Sequence, residues 1–195
     1  MRIIGLTLGI LISSTSPGKV PDLSGAIQLM GKDSMAHACP VGPEKAFTAA
    51  HVSNEDGTAS FYRWQQGEAS GVTSGAQSLN SSDLGLLQPK EGRGFPKWYE
   101  ISQKGPALGE KLWIRGYDFR SGGRAFQPRD WEVHVTRLVA GHIIFDPPVT
   151  KGTSGSCILD QSGKVVGVVS ATATLANLDD IGIGVGIWGE WGEGL

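Results

Sequence analysis

The sequence lacks several features that would point to other classes of protein. It has 17 lysines and arginines against 19 aspartates and glutamates, so no basic excess favours nucleic acid as a partner. It contains no repeat, heptad array or low-complexity tract, which excludes solenoids and coiled coils. The apolar stretch at residues 3–12 is too short to cross a bilayer as a stable helix. What is left is a chain long enough to bury a core of its own.

Turn-forming residues, in contrast, are abundant. The 29 glycines and 10 prolines among 195 residues indicate many turns and few long helices. Short β-like runs recur between the turn clusters, as is typical of barrels. Strands are predicted at 26–30, 35–39, 60–65, 111–117, 130–138, 142–146, 156–160, 164–172 and 182–188. A loop is predicted at 67–82 and a helical turn only at 98–101. The predicted fold class is therefore all-β.

One short segment has the residue types of a reactive loop. Residues 152–156 read GTSGS, with Ser154 set between two glycines. Glycines beside a serine suit a tight loop whose backbone N–H groups face a reacting oxygen. Alone, the pattern also fits an ordinary turn, because Gly, Ser and Thr clusters are common turn chemistry.

Two further segments supply a base and an acid. Residues 47–52 run from an apolar strand into small residues and then His51, which places an imidazole at a strand end. Residues 82–87 carry Asp83 just before an apolar run. Taken separately, the histidine also suits a core position and the aspartate a turn cap. Together with Ser154 they give the order His, Asp, Ser, which predicts a nucleophilic serine with its base and orienting acid.

On these residues the chain resembles the trypsin/chymotrypsin-like serine peptidases, the clan of double β-barrel proteases. The resemblance covers residues 24 to 188, and its short spacings are similar to those of compact bacterial HtrA-like and viral members. The matching segments are 48–51 (TAAH), 83–87 (DLGLL) and 152–156 (GTSGS), with support at 109–117 and 163–170. The resemblance implies two packed six-stranded antiparallel β-barrels. We expect residues 17–100 to form the first, carrying His51 and Asp83, and residues 101–195 the second, carrying Ser154.

The resemblance also implies a role for each residue of the site. Ser154 would attack the substrate, His51 would be the general base, and Asp83 would orient the imidazole. The backbone N–H groups of Gly152 and Ser154 would form the oxyanion hole. Thr153 stands where trypsin-like zymogens carry an aspartate, which argues against activation by an ion pair with a new amino terminus.

Substrate preference is predicted from a second group of residues. By resemblance, the base and wall of the specificity pocket are Pro148, Ser170, Ala171 and Thr172. Because no carboxylate stands at the pocket base, a basic P1 side chain would lack an ion-pair partner. Ile183 and Val185 on the last predicted strand favour a small or aliphatic P1 side chain.

The predicted function is a serine endopeptidase that acts on a protein or peptide through an acyl-enzyme, without a cofactor. One alternative is a catalytically retired protease fold that serves as a binding module, which the complete His, Asp and Ser set argues against. Another is a viral or phage polyprotein-processing protease. No histidine shows metal-ligand spacing, so no metal is predicted. His37 is assigned a structural role, with a place near the catalytic loop as the alternative.

The N-terminus and the cysteines give information on the cellular compartment of the protein. Arg2, the apolar stretch 3–12 and a small polar tail outline a signal peptide within residues 1–16, and an N-terminal strand is the alternative. The signal peptide predicts a secreted or periplasmic protein, whereas a viral or phage protein would be intracellular.

Cys39 and Cys157 are the only cysteines. We expect both to be buried and unpaired, with a disulfide as the alternative, because sequence alone does not fix their geometry.

Overall fold

The computed structural model describes residues 19–30, 35–52, 61–64, 69–74, 77–79, 82–91, 94–118, 127–174 and 180–188. The signal peptide predicted within residues 1–16 lies outside this set. The strands of the N-terminal half are β1 (Ile27–Met30), β2 (Met35–Gly42), β3 (Lys45–Ala49), β4 (Phe61–Trp64), β5 (Ala69–Thr73), β6 (Gln77–Ser78), β7 (Leu84–Leu87) and β8 (Pro89–Glu91). Those of the C-terminal half are β9 (Lys111–Asp118), β10 (Gln127–Val139), β11 (His142–Asp146), β12 (Cys157–Leu159), β13 (Val165–Thr174) and β14 (Asp180–Gly186).

The N-terminal strands form one antiparallel sheet that curls around a core. Their order is β6-β7-β3-β2-β1-β4-β5-β8. Only Gln88 separates β7 from β8, so the segment 84–91 pairs with β3 through its first part and with β5 through its second. One bent strand thereby joins the two sides of the sheet and closes six strand positions into a barrel. Among the described side chains, those buried inside are small or aliphatic, apart from Phe95.

The C-terminal strands form a closed six-stranded barrel in the order β10-β11-β14-β13-β12-β9. Its interior is filled by branched and aromatic side chains, among them Ile114, Trp131, Phe145 and Val169. On β14 the glycines face inward: a Cβ on Gly182 would overlap the Phe145 ring. The predicted class, all-β with two six-stranded barrels, is confirmed.

The two barrels share a third buried cluster, and a disulfide crosses it. Cys39 on β2 is bonded to Cys157 on β12, with a Cα–Cα distance of 4.8 Å. This distance lies in the range that a disulfide requires. The expectation of two unpaired cysteines is therefore wrong. Both sulfurs lie in the apolar cluster between the barrels, beside Phe47 and Leu159.

Two local predictions also fail. The predicted loop at 67–82 contains β5 and β6, because its small residues pair with β4, β8 and β7. The predicted helical turn at 98–101 is extended instead. There the Tyr99 N–H donates to the Pro40 carbonyl at 3.0 Å, and Ile101 forms a parallel bridge with Val165.

No helix in the described part of the chain is long and apolar enough to cross a membrane.

Candidate active site

The pairing of β3 with β7 brings His51 and Asp83 together. Ala49 at the end of β3 lies opposite Leu84 at the start of β7. His51 lies just beyond the end of β3, and Asp83 just before the start of β7, so both occupy the same edge of the barrel. The backbone of Asp83 takes a φ of 65°, a strained conformation for a residue other than glycine. Such strain is typical of functional positions, where surrounding contacts hold it.

Hydrogen bonds link Asp83, His51 and Ser154 in a line. The His51 N–H donates to Asp83 Oδ1 at 2.9 Å, and the ring Nδ1 lies 2.8 Å from Oδ2. An ionised carboxylate only accepts, so Nδ1 carries the ring proton and Nε2 is left as an acceptor. Nε2 lies 3.2 Å from Ser154 Oγ. The His51 side chain is 52% exposed, so a substrate in solvent can approach His51 and Ser154.

Ser154 lies on the loop between β11 and β12, and within residues 152–156 two backbone donors have no acceptor among the described residues. The other N–H groups of residues 153–156 donate to carbonyls within the protein: Thr153 to Thr150, Gly155 to Val169 and Ser156 to Thr153. Among the described residues, the N–H groups of Gly152 and Ser154 have no acceptor. These two donors are therefore available to a bound group.

At Gly155 the loop packs closely against the first barrel. The φ of Gly155 is 85°, and a Cβ there would overlap the carbonyl oxygen of His37 and come within 2.4 Å of Thr48 Oγ1. Only glycine allows so close an approach. The second barrel thus presents Ser154 to the His51 edge of the first.

A cleft of about 840 Å³ opens beside Ser154. The predicted pocket residues Pro148, Ala171 and Thr172 line it. Its other apolar lining residues are Trp131, Val149 and Val169, and its charged ones are Arg129, Lys151 and Asp180. Sequence reasoning missed these charged residues because they come from strand ends and a loop that only the folded barrel brings together.

Three of the predicted pocket residues lie elsewhere. Ser170 does not line the cleft; its hydroxyl donates to Asp83 Oδ2 at 2.5 Å, and its carbonyl lies 3.2 Å from Ser154 Oγ. Val185 is buried in the cluster between the barrels, and Ile183 is likewise absent from the cleft lining. The inward-facing glycines of β14 turn both aliphatic side chains to the outside of the barrel. The specificity pocket assigned to these residues stays a prediction.

No group of three or more histidine, cysteine, aspartate or glutamate side chains within the described ranges is arranged to hold a metal ion.

Comparison with known proteins identifies the fold. No protein-family model and no curated protein sequence matches the chain. A serine endoprotease from Yersinia pestis is similar in structure, with a TM-score of 0.64 and 14% identity over 84% of this chain, which spans 59% of that protein's length. The Rv3671c protease in its inactive form matches with a TM-score of 0.64 and 15% identity, covering 88% of this chain and 93% of that one. A Glu endopeptidase in complex with MPD matches with a TM-score of 0.67 and 19% identity, covering 92% of each chain. The chain therefore has the chymotrypsin-like double-barrel fold.

Proposed function

We propose that this chain of chymotrypsin-like fold is a serine endopeptidase. Ser154 is the nucleophile, His51 the general base and Asp83 the residue that orients His51. The observation that carries the proposal is the line of contacts from Asp83 Oδ2 through His51 to Ser154 Oγ, at 2.8 and 3.2 Å. A serine hydroxyl is a poor nucleophile at neutral pH, and such a base is what activates it.

In the first half of the reaction, Ser154 Oγ attacks the scissile carbonyl carbon while its proton passes to His51 Nε2. A C–O bond forms, and the carbonyl electron pair moves onto oxygen. The N–H groups of Gly152 and Ser154 donate to that oxyanion, and each such donor contributes about 3 kcal/mol in comparable enzymes. Collapse of the intermediate breaks the C–N bond, and His51 gives its proton to the leaving amine.

In the second half, water attacks the acyl ester as His51 takes one of its protons. The ester C–O bond breaks, the proton returns to Ser154, and the new acid leaves. Asp83 keeps the imidazole in one tautomer throughout and stabilises the imidazolium formed in each half. The Ser170 hydroxyl, 2.5 Å from Asp83 Oδ2, holds the carboxylate in place.

We extend the proposal to a small or aliphatic P1 side chain. The surfaces of Pro148, Val149, Val169 and Ala171 make the cleft beside Ser154 apolar on several sides. A peptide library digested by the protein tests this preference. Cleavage is expected chiefly after alanine, valine or leucine, and cleavage chiefly after arginine, lysine or glutamate would contradict it.

Two serines of one loop provide a matched test of the reaction. Ser154→Ala is expected to lower kcat for a peptide substrate by about 10⁶-fold, as loss of a catalytic serine does in comparable enzymes. Ser156→Ala makes the same chemical change at a buried hydroxyl that has no hydrogen-bond partner among the described residues, and it should leave kcat within about threefold. Wild-type activity in Ser154→Ala, or equal losses in both variants, would refute the assignment.

A further inference from the structure

His37 is a fully buried titratable residue outside the line formed by Asp83, His51 and Ser154. It lies on β2 of the first barrel, and its ring stacks on Tyr117 of β9 in the second, with centroids 5.6 Å apart and planes 5° apart. The imidazole therefore occupies the seam between the barrels, beneath the loop that carries Ser154. A polar ring buried this deeply needs a partner for each nitrogen.

Both ring nitrogens of His37 have partners that fix the tautomer. The Tyr117 N–H donates to Nε2 at 3.0 Å, so Nε2 carries the lone pair. Nδ1 lies 2.7 Å from the Gly152 carbonyl oxygen and must carry the proton that it donates. Burial lowers the pKa of His37 to about 4, against a smaller opposing effect of the Gly152 hydrogen bond, so the ring is neutral at pH 7.

The main chain of His37 forms a further hydrogen bond with the same loop. Its N–H donates to the Ser154 carbonyl at 2.8 Å, and its own carbonyl accepts from Thr48 Oγ1 at 2.7 Å. His37 thus binds the carbonyl oxygens of Gly152 and Ser154. Within residues 152–156, these are the two whose N–H groups have no acceptor among the described residues.

The hydrogen bond from His37 Nδ1 to the Gly152 carbonyl is important because little packs against Gly152. Its φ is 92°, and among the described residues other than its chain neighbours the only atom within 4 Å of a Cβ built there is Met35 Cε, at 3.7 Å. Without a side chain, its two peptide planes turn at low cost. The bond from His37 holds the plane that follows Gly152, and the Gly152 N–H is joined to that plane through a single Cα.

We propose that His37 is a positioning residue of this active site: it holds the peptide planes that follow Gly152 and Ser154, and thereby restrains the loop backbone from which their N–H groups project toward the oxyanion. The inference rests on the proposed function of Ser154. It assigns to a buried histidine outside the line from Asp83 to Ser154 the task of keeping the oxyanion hole formed before substrate arrives.

Two substitutions separate the functions of the two ring nitrogens. In His37→Asn the amide nitrogen takes the place of Nδ1 and can donate to Gly152, while the Tyr117 N–H loses its acceptor. In His37→Gln the amide oxygen reaches the place of Nε2 and can accept from Tyr117, while the Gly152 carbonyl loses its donor. Asparagine also removes more buried volume, so a role in packing alone predicts the larger loss for His37→Asn.

The measurements are kcat and KM for one peptide and the inhibition constant of a peptide boronate, whose tetrahedral adduct occupies the oxyanion hole. We expect His37→Gln to lose at least about tenfold more kcat than His37→Asn, with KM changed less than about threefold and boronate binding weakened in parallel. Equal losses, or a larger loss in His37→Asn, would overturn the proposal.

A nitrogen-15 NMR spectrum of the wild type tests the geometry without relying on activity or on folding of a variant. At pH 7 it should show His37 protonated at Nδ1 and unprotonated at Nε2, and the reverse tautomer would overturn the proposal. A wild type with this tautomer that neither cleaves peptides nor binds the boronate would instead contradict the proposed function.

Discussion

At the scale of single residues, the proposed chemistry depends on a carboxylate at position 83. Asp83→Asn replaces an acceptor by an amide that can present N–H to His51 Nδ1, which favours the tautomer whose Nε2 carries a proton and cannot act as a base. We expect kcat to fall by about 10⁴-fold, with stability little changed. Steady-state kinetics and thermal unfolding measure the two effects.

The matched control is Asp130→Asn. Asp130 pairs with Arg115 at 2.5 and 2.6 Å between β10 and β9, and it is not among the described residues that line the cleft beside Ser154. An exposed pair of this kind contributes little, so kcat should stay within about twofold of the wild type. Similar activity in the two variants would show that Asp83 does not orient His51.

Residues of the site differ in how far the sequence predicts them. His51, Asp83 and Ser154 could be found because each stands beside an apolar run or between glycines, a signal local in the chain. The contacts of Ser170 and His37 could not be predicted from local signals. Their contacts join positions 87 and 115 residues apart, Ser170 to Asp83 and His37 to Gly152, and only the folded barrels create those neighbours.

At the scale of elements, the loop that carries Ser154 must lie against the first barrel. Gly155→Ala and Gly109→Ala make the same change at φ values of 85° and 76°. Each substitution introduces about 1 kcal/mol or more of backbone strain, because alanine disfavours a positive φ. A Cβ at Gly109 meets no atom of the described residues within 4 Å, whereas one at Gly155 overlaps the His37 carbonyl oxygen.

We therefore expect Gly155→Ala to lose about 2 kcal/mol more of the free energy of unfolding than Gly109→Ala. Urea unfolding followed by tryptophan fluorescence measures the difference. Losses of the same size would contradict the close packing of Gly155 against His37.

The strands themselves were predictable to different degrees. Those of the second barrel follow runs of branched and aromatic residues, and the predicted ranges agree closely with β9 to β14. β5 was missed because it is rich in Ala, Ser and Gly, and β6 because it has only two residues, so pairing with neighbours decides their structure. On β14 the strand was found but its faces were misassigned, because the inward positions are glycines.

At the scale of the whole molecule, the Cys39–Cys157 disulfide ties the two barrels together. It closes a sequence separation of 118 residues, so it strongly restricts the unfolded chain. The double variant Cys39→Ala/Cys157→Ala is expected to lose about 2–5 kcal/mol of the free energy of unfolding. Guanidinium unfolding, with and without reductant, should show that reductant destabilises the wild type and leaves the variant unaffected. Alkylation of both thiols in unreduced, denatured wild type would contradict the disulfide.

Stability should also depend on pH through His37. Its folded pKa of about 4 lies below the ordinary value of 6.5, so between these pH values the unfolded chain binds a proton that the folded chain does not. Stability therefore falls as pH drops, by about 1.4 kcal/mol per unit and about 3 kcal/mol in all. The difference between wild type and His37→Gln in urea unfolding at pH 7 and pH 4.5 isolates this residue. Parallel losses in the two proteins would contradict the burial of a neutral His37.

The arrangement of two barrels could be expected from the sequence, but the way they join could not. Alternation and turn residues are local and indicate barrels, whereas the disulfide and the bridge from His37 to Tyr117 depend on register across the seam. Those contacts set the distance between His51 and Ser154, on which the proposed chemistry rests.

The sharpest test of Ser154 as an activated nucleophile is labelling of the native protein by a fluorophosphonate, with the adduct mapped by mass spectrometry. We expect one adduct per chain, on Ser154, and none in Ser154→Ala or in urea-unfolded wild type, because an isolated serine hydroxyl does not react. An unlabelled native protein, or an adduct that persists in Ser154→Ala, would contradict the proposal.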